Sequence, residues 1–129
     1  MAFQVEEVPD NANLFRKIHR NHFMPGGLVS SATFRDPRMS VNWEKYCNAE
    51  GTADSNSAAV MALVAQECRE LKQTVEHTPI EPNQDLGPNQ AHVEVCGDKS
   101  KVVSRQLRDK ARLVWCRPAQ GLASGAPAR

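Results

Sequence analysis

The run MSVNW at residues 39–43 sets Met39, Val41 and Trp43 against Ser40 and Asn42. Such strict alternation marks a strand with one face in a core and the other in water. AHVEVC at residues 91–96 repeats it, with Ala91, Val93 and Val95 against His92, Glu94 and Cys96. TVEHT at 74–78 reads as a strand. So does GLVSSATF at 27–34, where Leu28, Ser30, Ala32 and Phe34 alternate with their neighbours. A chain with several half-buried strands needs a sheet and a layer to cover one of its faces.

Two stretches are expected to supply that layer. From Ser57 to Gln73 the spacing predicts a central buried helix, with Val60, Val64, Cys68 and Leu71 on one stripe and plausible caps at Asp54, Ser55, Asn56 and Ser57. From Lys99 to Trp115 it predicts a second helix, ended by Pro118. Turn chemistry separates the elements. MPGG (24–27) and RDPR (35–38) break the chain, and PIEPNQDLGPNQ (79–90) is expected to be a loop. The expected fold is α+β: an antiparallel or mixed sheet of four or five strands with two main helices packed on one face. Residues 1–13 read as an irregular lead-in, 14–118 as a single domain and 119–129 as a flexible tail.

The 129 residues include 24% charged side chains and only 5% aromatic ones, so the core must rest on Val, Leu, Ala and Met. A formal net charge of +1 conceals segregation: residues 14–45 and 97–129 are rich in Lys and Arg, and residues 50–94 are rich in acids. Such blocks can give one molecule a basic and an acidic side. The N-terminus has no basic start followed by an apolar run, and no stretch approaches the roughly 18 apolar residues of a membrane span. A cytoplasmic setting is expected, with no membrane association. Cys47, Cys68, Cys96 and Cys116 are scattered, which reads as free thiols in a reducing compartment.

The best-patterned charges lie on the last expected helix. Lys101, Arg105, Arg108 and Arg112 follow at i, i+4, i+7 and i+11, within roughly 60° of one another at 100° per residue. Val103, Leu107, Ala111 and Val114 form the opposite stripe. The helix would bury its apolar side and present a cationic ridge to an acidic protein or a nucleic acid. No aromatic side chain interleaves the ridge, so base stacking has no support there.

Other candidates are weaker. NLFRKIHR (13–20) fits neither the helical nor the strand template cleanly. Residues 14–22 are expected to be mainly basic surface leading into the Pro25-Gly26-Gly27 turn, with Arg16 the residue able to offer an anion a fixed guanidinium. His19 and His22 form a His-x-x-His, but two ligands are too few for zinc. No metal and no cofactor is expected. Gly97-Asp98-Lys99-Ser100 opens a helix after a strand, yet His92 stands where the first glycine of a phosphate loop would fall. Parity places His77 and His92 on opposite faces of a sheet buried on one side. It places His92 and Glu94 on the same face, where either could act as a base.

The strings LFRKIHRNHF, LVSSATFRDP, MSVNW, VEHTP and AHVEVCGDKS together resemble a small family of uncharacterised prokaryotic proteins, over residues 14–114. That resemblance implies one compact domain in the cytosol and supplies no catalytic residue. A second, NAD-using ADP-ribosyltransferase-like folds, is similar in the order arginine, serine, glutamate, which Arg16, Ser31 and Glu94 imitate. The expected function is a non-enzymatic binding or accessory module. The alternative is a small enzyme acting on RNA or a nucleotide, including the ADP-ribosyltransferase-like case. It would use Arg16, His19, His92 and Glu94, and a shared concave pocket is the geometry it requires.

Overall fold

The computed structural model describes residues 2–82 and 87–118; the expected tail at 119–129 lies outside the described residues. Six antiparallel strands form one sheet: β1 (Asn13–His19), β4 (Arg38–Trp43), β5 (Ser57–Val64), β6 (Thr74–His77), β7 (His92–Cys96) and β8 (Arg112–Cys116). Their order across the sheet is β6-β7-β4-β1-β5-β8. A hairpin of β2 (Phe23–Met24) and β3 (Leu28–Val29) stands apart, closed by Gly26 and Gly27 at positive φ. Among the described residues there are three α-helices: α1 (Ala49–Thr52), α2 (Ala65–Glu70) and α3 (Lys101–Lys110).

The α+β class and the antiparallel sheet agree with the expectation, and the details differ. The helix expected over 57–73 is β5 followed by the short α2. β5 lies between β1 and β8 and is covered on both faces. Ala59, Met61 and Leu63 enter the main core, while Val60 and Ala62 pack with Phe15 on the other side. A strand buried on both faces loses its alternation, and its apolar run then resembles a buried helix. Consequently Leu63 is fully buried and Val64, expected in the core, is only half-buried; Leu71 is also half-buried.

The second helix ends at Lys110, and RLVWC forms the edge strand β8, where Val114 is exposed rather than buried. Arg112 therefore does not continue the helical ridge. Of the strand expected over 27–34, only Leu28–Val29 is extended. Ser30 then caps a 3-10 turn over Ser31–Phe34 by accepting from Ala32 N. The stretch expected to be basic surface contains a central strand: Leu14 and Ile18 in β1 are fully buried.

α2 and α3 lie on the main-core side with Cys68 and Leu107, and α1 lies on the other. Residues 2–12 take no regular form, but their carbonyls start α2: Asp10 O accepts from Gln66 N and Ala12 O from Ala65 N, each at 2.9 Å. Among the described residues no helix is long and apolar enough to cross a membrane.

Candidate functional site

Register decides which polar side chains share a face. Met39 opposes Val95 and Val41 opposes Val93, all pointing into the core. Ser40 opposes Glu94 and Asn42 opposes His92 on the reverse face. Phe15 pairs with Asn42 and extends that face onto β1, so Lys17, two residues further on, shares it. α1 covers only part of this face, against Phe15, Val60 and Ala62, with Ala49 and Ala53 in contact. A cleft of about 280 Å³ opens beside it. Phe15, Lys17, Ser40, Asn42 and His92 line its base, Thr52 stands at the α1 side, and Ile80 and Asn89 stand opposite.

Asn42 ties base to walls. Its Oδ1 accepts from Asn89 Nδ2 at 2.9 Å, and its Nδ2 donates to Thr52 Oγ1 at 3.2 Å. Ile80 and Asn89 are held together by reciprocal backbone bonds of 2.9 and 2.8 Å. His92 is fixed at both ring nitrogens. Nδ1 lies 2.8 Å from Thr78 O and 2.9 Å from Thr78 Oγ1, and Nε2 lies 3.1 Å from Ser40 Oγ. A carbonyl oxygen can only accept, so Nδ1 carries the proton and donates to Thr78 O. Nε2 is then a bare acceptor facing the Ser40 hydroxyl. Glu94, on the same face, is held by Arg38 at 2.6 Å, an ion pair that raises the Arg38 pKa.

A second recess of about 170 Å³ is lined by Arg16, Lys17, His19, His22, Thr33, Asp54 and Ser57. Arg16 is committed to the fold there. Its Nε and Nη2 donate to Thr33 O at 3.1 and 2.9 Å, and its Nη1 donates to Ser40 O at 2.8 Å. Burial lowers its pKa, opposed by Asp36. His19 Nδ1 accepts from Asn21 N at 3.0 Å, and His22 Nδ1 lies 2.8 Å from Thr33 Oγ1. Lys17 pairs with Asp54 at 2.8 Å and borders both recesses.

The four candidate catalytic residues are thus divided. Arg16 and His19 line one recess, His92 lines the other, and Glu94 lines neither. Ser31, from the ADP-ribosyltransferase-like order, also lines neither. His77 and His92 face opposite sides, as parity required. His77 is buried, accepting from Glu6 N at 2.9 Å through Nδ1 and donating to Gln90 O at 2.7 Å through Nε2. Among the described residues no group of three or more His, Cys, Asp or Glu could hold a metal ion.

On α3, Lys101 and Arg105 are exposed and Arg108 is half-exposed, its Nε 3.2 Å from Asp109. Arg112, on β8, donates to Asn13 Oδ1 at 3.0 Å. Ser100 caps the helix by accepting from Val103 N. Lys99 turns inward to Val95 O at 2.8 Å and Pro37 O at 3.3 Å, and burial lowers its pKa.

Sequence reasoning missed Ser40, Asn42 and Thr78 as partners of His92. The alternation in MSVNW places Ser40 and Asn42 on the polar face, but only register brings them beside β7. No family model, curated protein or solved structure matches the chain.

Proposed function

We propose that the protein is a binding module that presents the outer side of α3 to a polyanion. Lys101, Arg105 and Arg108 repeat on one side of this helix, and Leu107 is buried behind them. The observation that carries the reading is where the cations begin. The first turn of α3 holds Lys101 and no acid, although a helix N-terminus favours negative charge and disfavours positive. Helix stability alone accounts for Arg108 and Lys110 in the last turn, but not for Lys101. Among the described residues neither Lys101 nor Arg105 has a carboxylate at ion-pair distance.

A phosphate backbone suits such a row because neutralised phosphates release counterions. The test is a fluorescence titration with single-stranded RNA, duplex DNA and polyglutamate at two salt concentrations. Nucleic-acid affinity should fall with a log–log slope of about −2 to −3 if three cations each neutralise one phosphate. Arg105→Glu with Arg108→Glu should abolish binding while leaving the thermal transition nearly unchanged. Preference for polyglutamate would favour an acidic protein as the partner. Binding that ignores salt or survives the double reversal removes α3 from the account.

The alternative reading, an enzyme acting on RNA or a nucleotide, is supported only by His92. Its other candidate residues lie in the second recess or in the Arg38–Glu94 ion pair.

A further inference from the structure

The geometry points to a serine-centred ester-hydrolysing site in the cleft on the open sheet face, with Ser40 as nucleophile and His92 as its base. Three observations converge. Ser40 Oγ is exposed and lies 3.1 Å from His92 Nε2. The 2.8 Å contact from Nδ1 to Thr78 O fixes the tautomer in which Nε2 has a free lone pair. Both side chains line the same cleft, whose lining also includes Phe15 and Ile80. A weak hydroxyl nucleophile needs an adjacent base, and the base needs a third group to orient it. Thr78 O takes the orienting place that a carboxylate holds in the familiar serine triad. The backbone keeps that oxygen in register, because Thr78 N donates to His92 O at 3.0 Å.

The chemistry closes with water as the second reactant. Ser40 Oγ attacks the ester carbonyl carbon while its proton passes to His92 Nε2. Lys17, its Nζ paired with Asp54 at 2.8 Å, is the one cation among the described residues lining the cleft and the side chain there whose charge offsets the oxyanion. The intermediate collapses, the bond to the alcohol oxygen breaks, and His92 returns the proton to the departing alkoxide. Water then attacks the acyl-Ser40 ester and gives a proton to Nε2. The acid leaves, and the proton returns to Ser40. A volume of about 280 Å³ with Phe15 and Ile80 in its lining suits a short acyl group.

The test uses the full chain with p-nitrophenyl acetate and a fluorophosphonate probe, followed by intact mass and peptide mapping. The expected result is one probe adduct, on Ser40, and ester turnover above the buffer rate. Ser40→Ala should abolish both, and His92→Gln should slow both by about 100-fold or more. Ser40 is exposed, so the alanine variant keeps the fold, which its thermal transition checks. Should His92→Gln fail to fold, the location of the wild-type adduct decides. No adduct on Ser40, an adduct formed equally fast in a folded His92→Gln, or turnover unchanged in Ser40→Ala overturns the assignment.

Discussion

Arg16→Lys separates a guanidinium that braces the fold from a charge that merely decorates it. β1 and β4 are paired at Leu14–Trp43 and Phe15–Asn42 only. Beyond Phe15 the guanidinium bridges to Ser40 O on β4 and to Thr33 O in the 3-10 turn. Two acceptors, one on each side, require a fork, and a lysine ammonium on a shorter reach holds one of them. A hydrogen bond to a charged group contributes about 1.5–3 kcal/mol, so Arg16→Lys should cost about that much. Arg16→Ala removes both links and should cost about 3–6 kcal/mol on the same scale. Water entering from the exposed Ser40 side would favour the lower ends. That compares with about 5–15 kcal/mol for the whole stability of an ordinary domain. Urea unfolding followed by far-UV circular dichroism reads the difference as a fall in midpoint at constant slope. If Arg16→Lys unfolds within about 0.5 kcal/mol of the parent, charge alone suffices and the bracing account is refuted.

Leu63→Ala should cost about 2–5 kcal/mol and Val64→Ala clearly less, since only Leu63 is fully buried; equal losses by chemical denaturation would contradict the strand register of β5. Lys17, with smaller help from Asn56 N and the Ser57 hydroxyl, pulls the Asp54 carboxyl from 3.8 down to about 2, against a desolvation effect that raises it. A depressed folded-state pKa adds stability that is complete above the unfolded value and is lost as pH falls through the folded one. Asp54→Asn should therefore flatten acid unfolding between about pH 4 and pH 2, by on the order of 1 kcal/mol after solvent screening of this half-exposed pair; an unchanged acid limb would show the pair to be idle. Burial pushes the Cys68 thiol up to about 12, while Cys116 is exposed. Iodoacetamide at pH 8 should thus label Cys116 in the native protein and reach Cys68 only on unfolding, as peptide mapping would record; early labelling of Cys68 would contradict its burial.

The sequence by itself determined the α+β class and the three strands whose side chains alternate. At 39–43 and 92–96 one face is apolar and the other polar, and at 74–77 Val75 and His77 are buried between exposed Thr74 and Glu76, so the period of two survives in the residues. It also placed Lys101, Arg105 and Arg108 on one side of a helix, because α3 is amphipathic and its periodicity is local. It could not recognise β5 or β1. β5 is covered on both faces, and its run from Ala59 to Leu63 carries no alternation to read. In β1, Arg16 sits between Leu14 and Ile18 on the core side, which blurs the pattern, and only the carbonyls of Thr33 and Ser40 explain it. The candidate site belongs wholly to tertiary structure. Ser40 and His92 are 52 residues apart, and Thr78 precedes His92 by 14. Pairing of β6 and β4 with β7 brings the three together, and strand register is set by the burial of whole faces, not by any local signal.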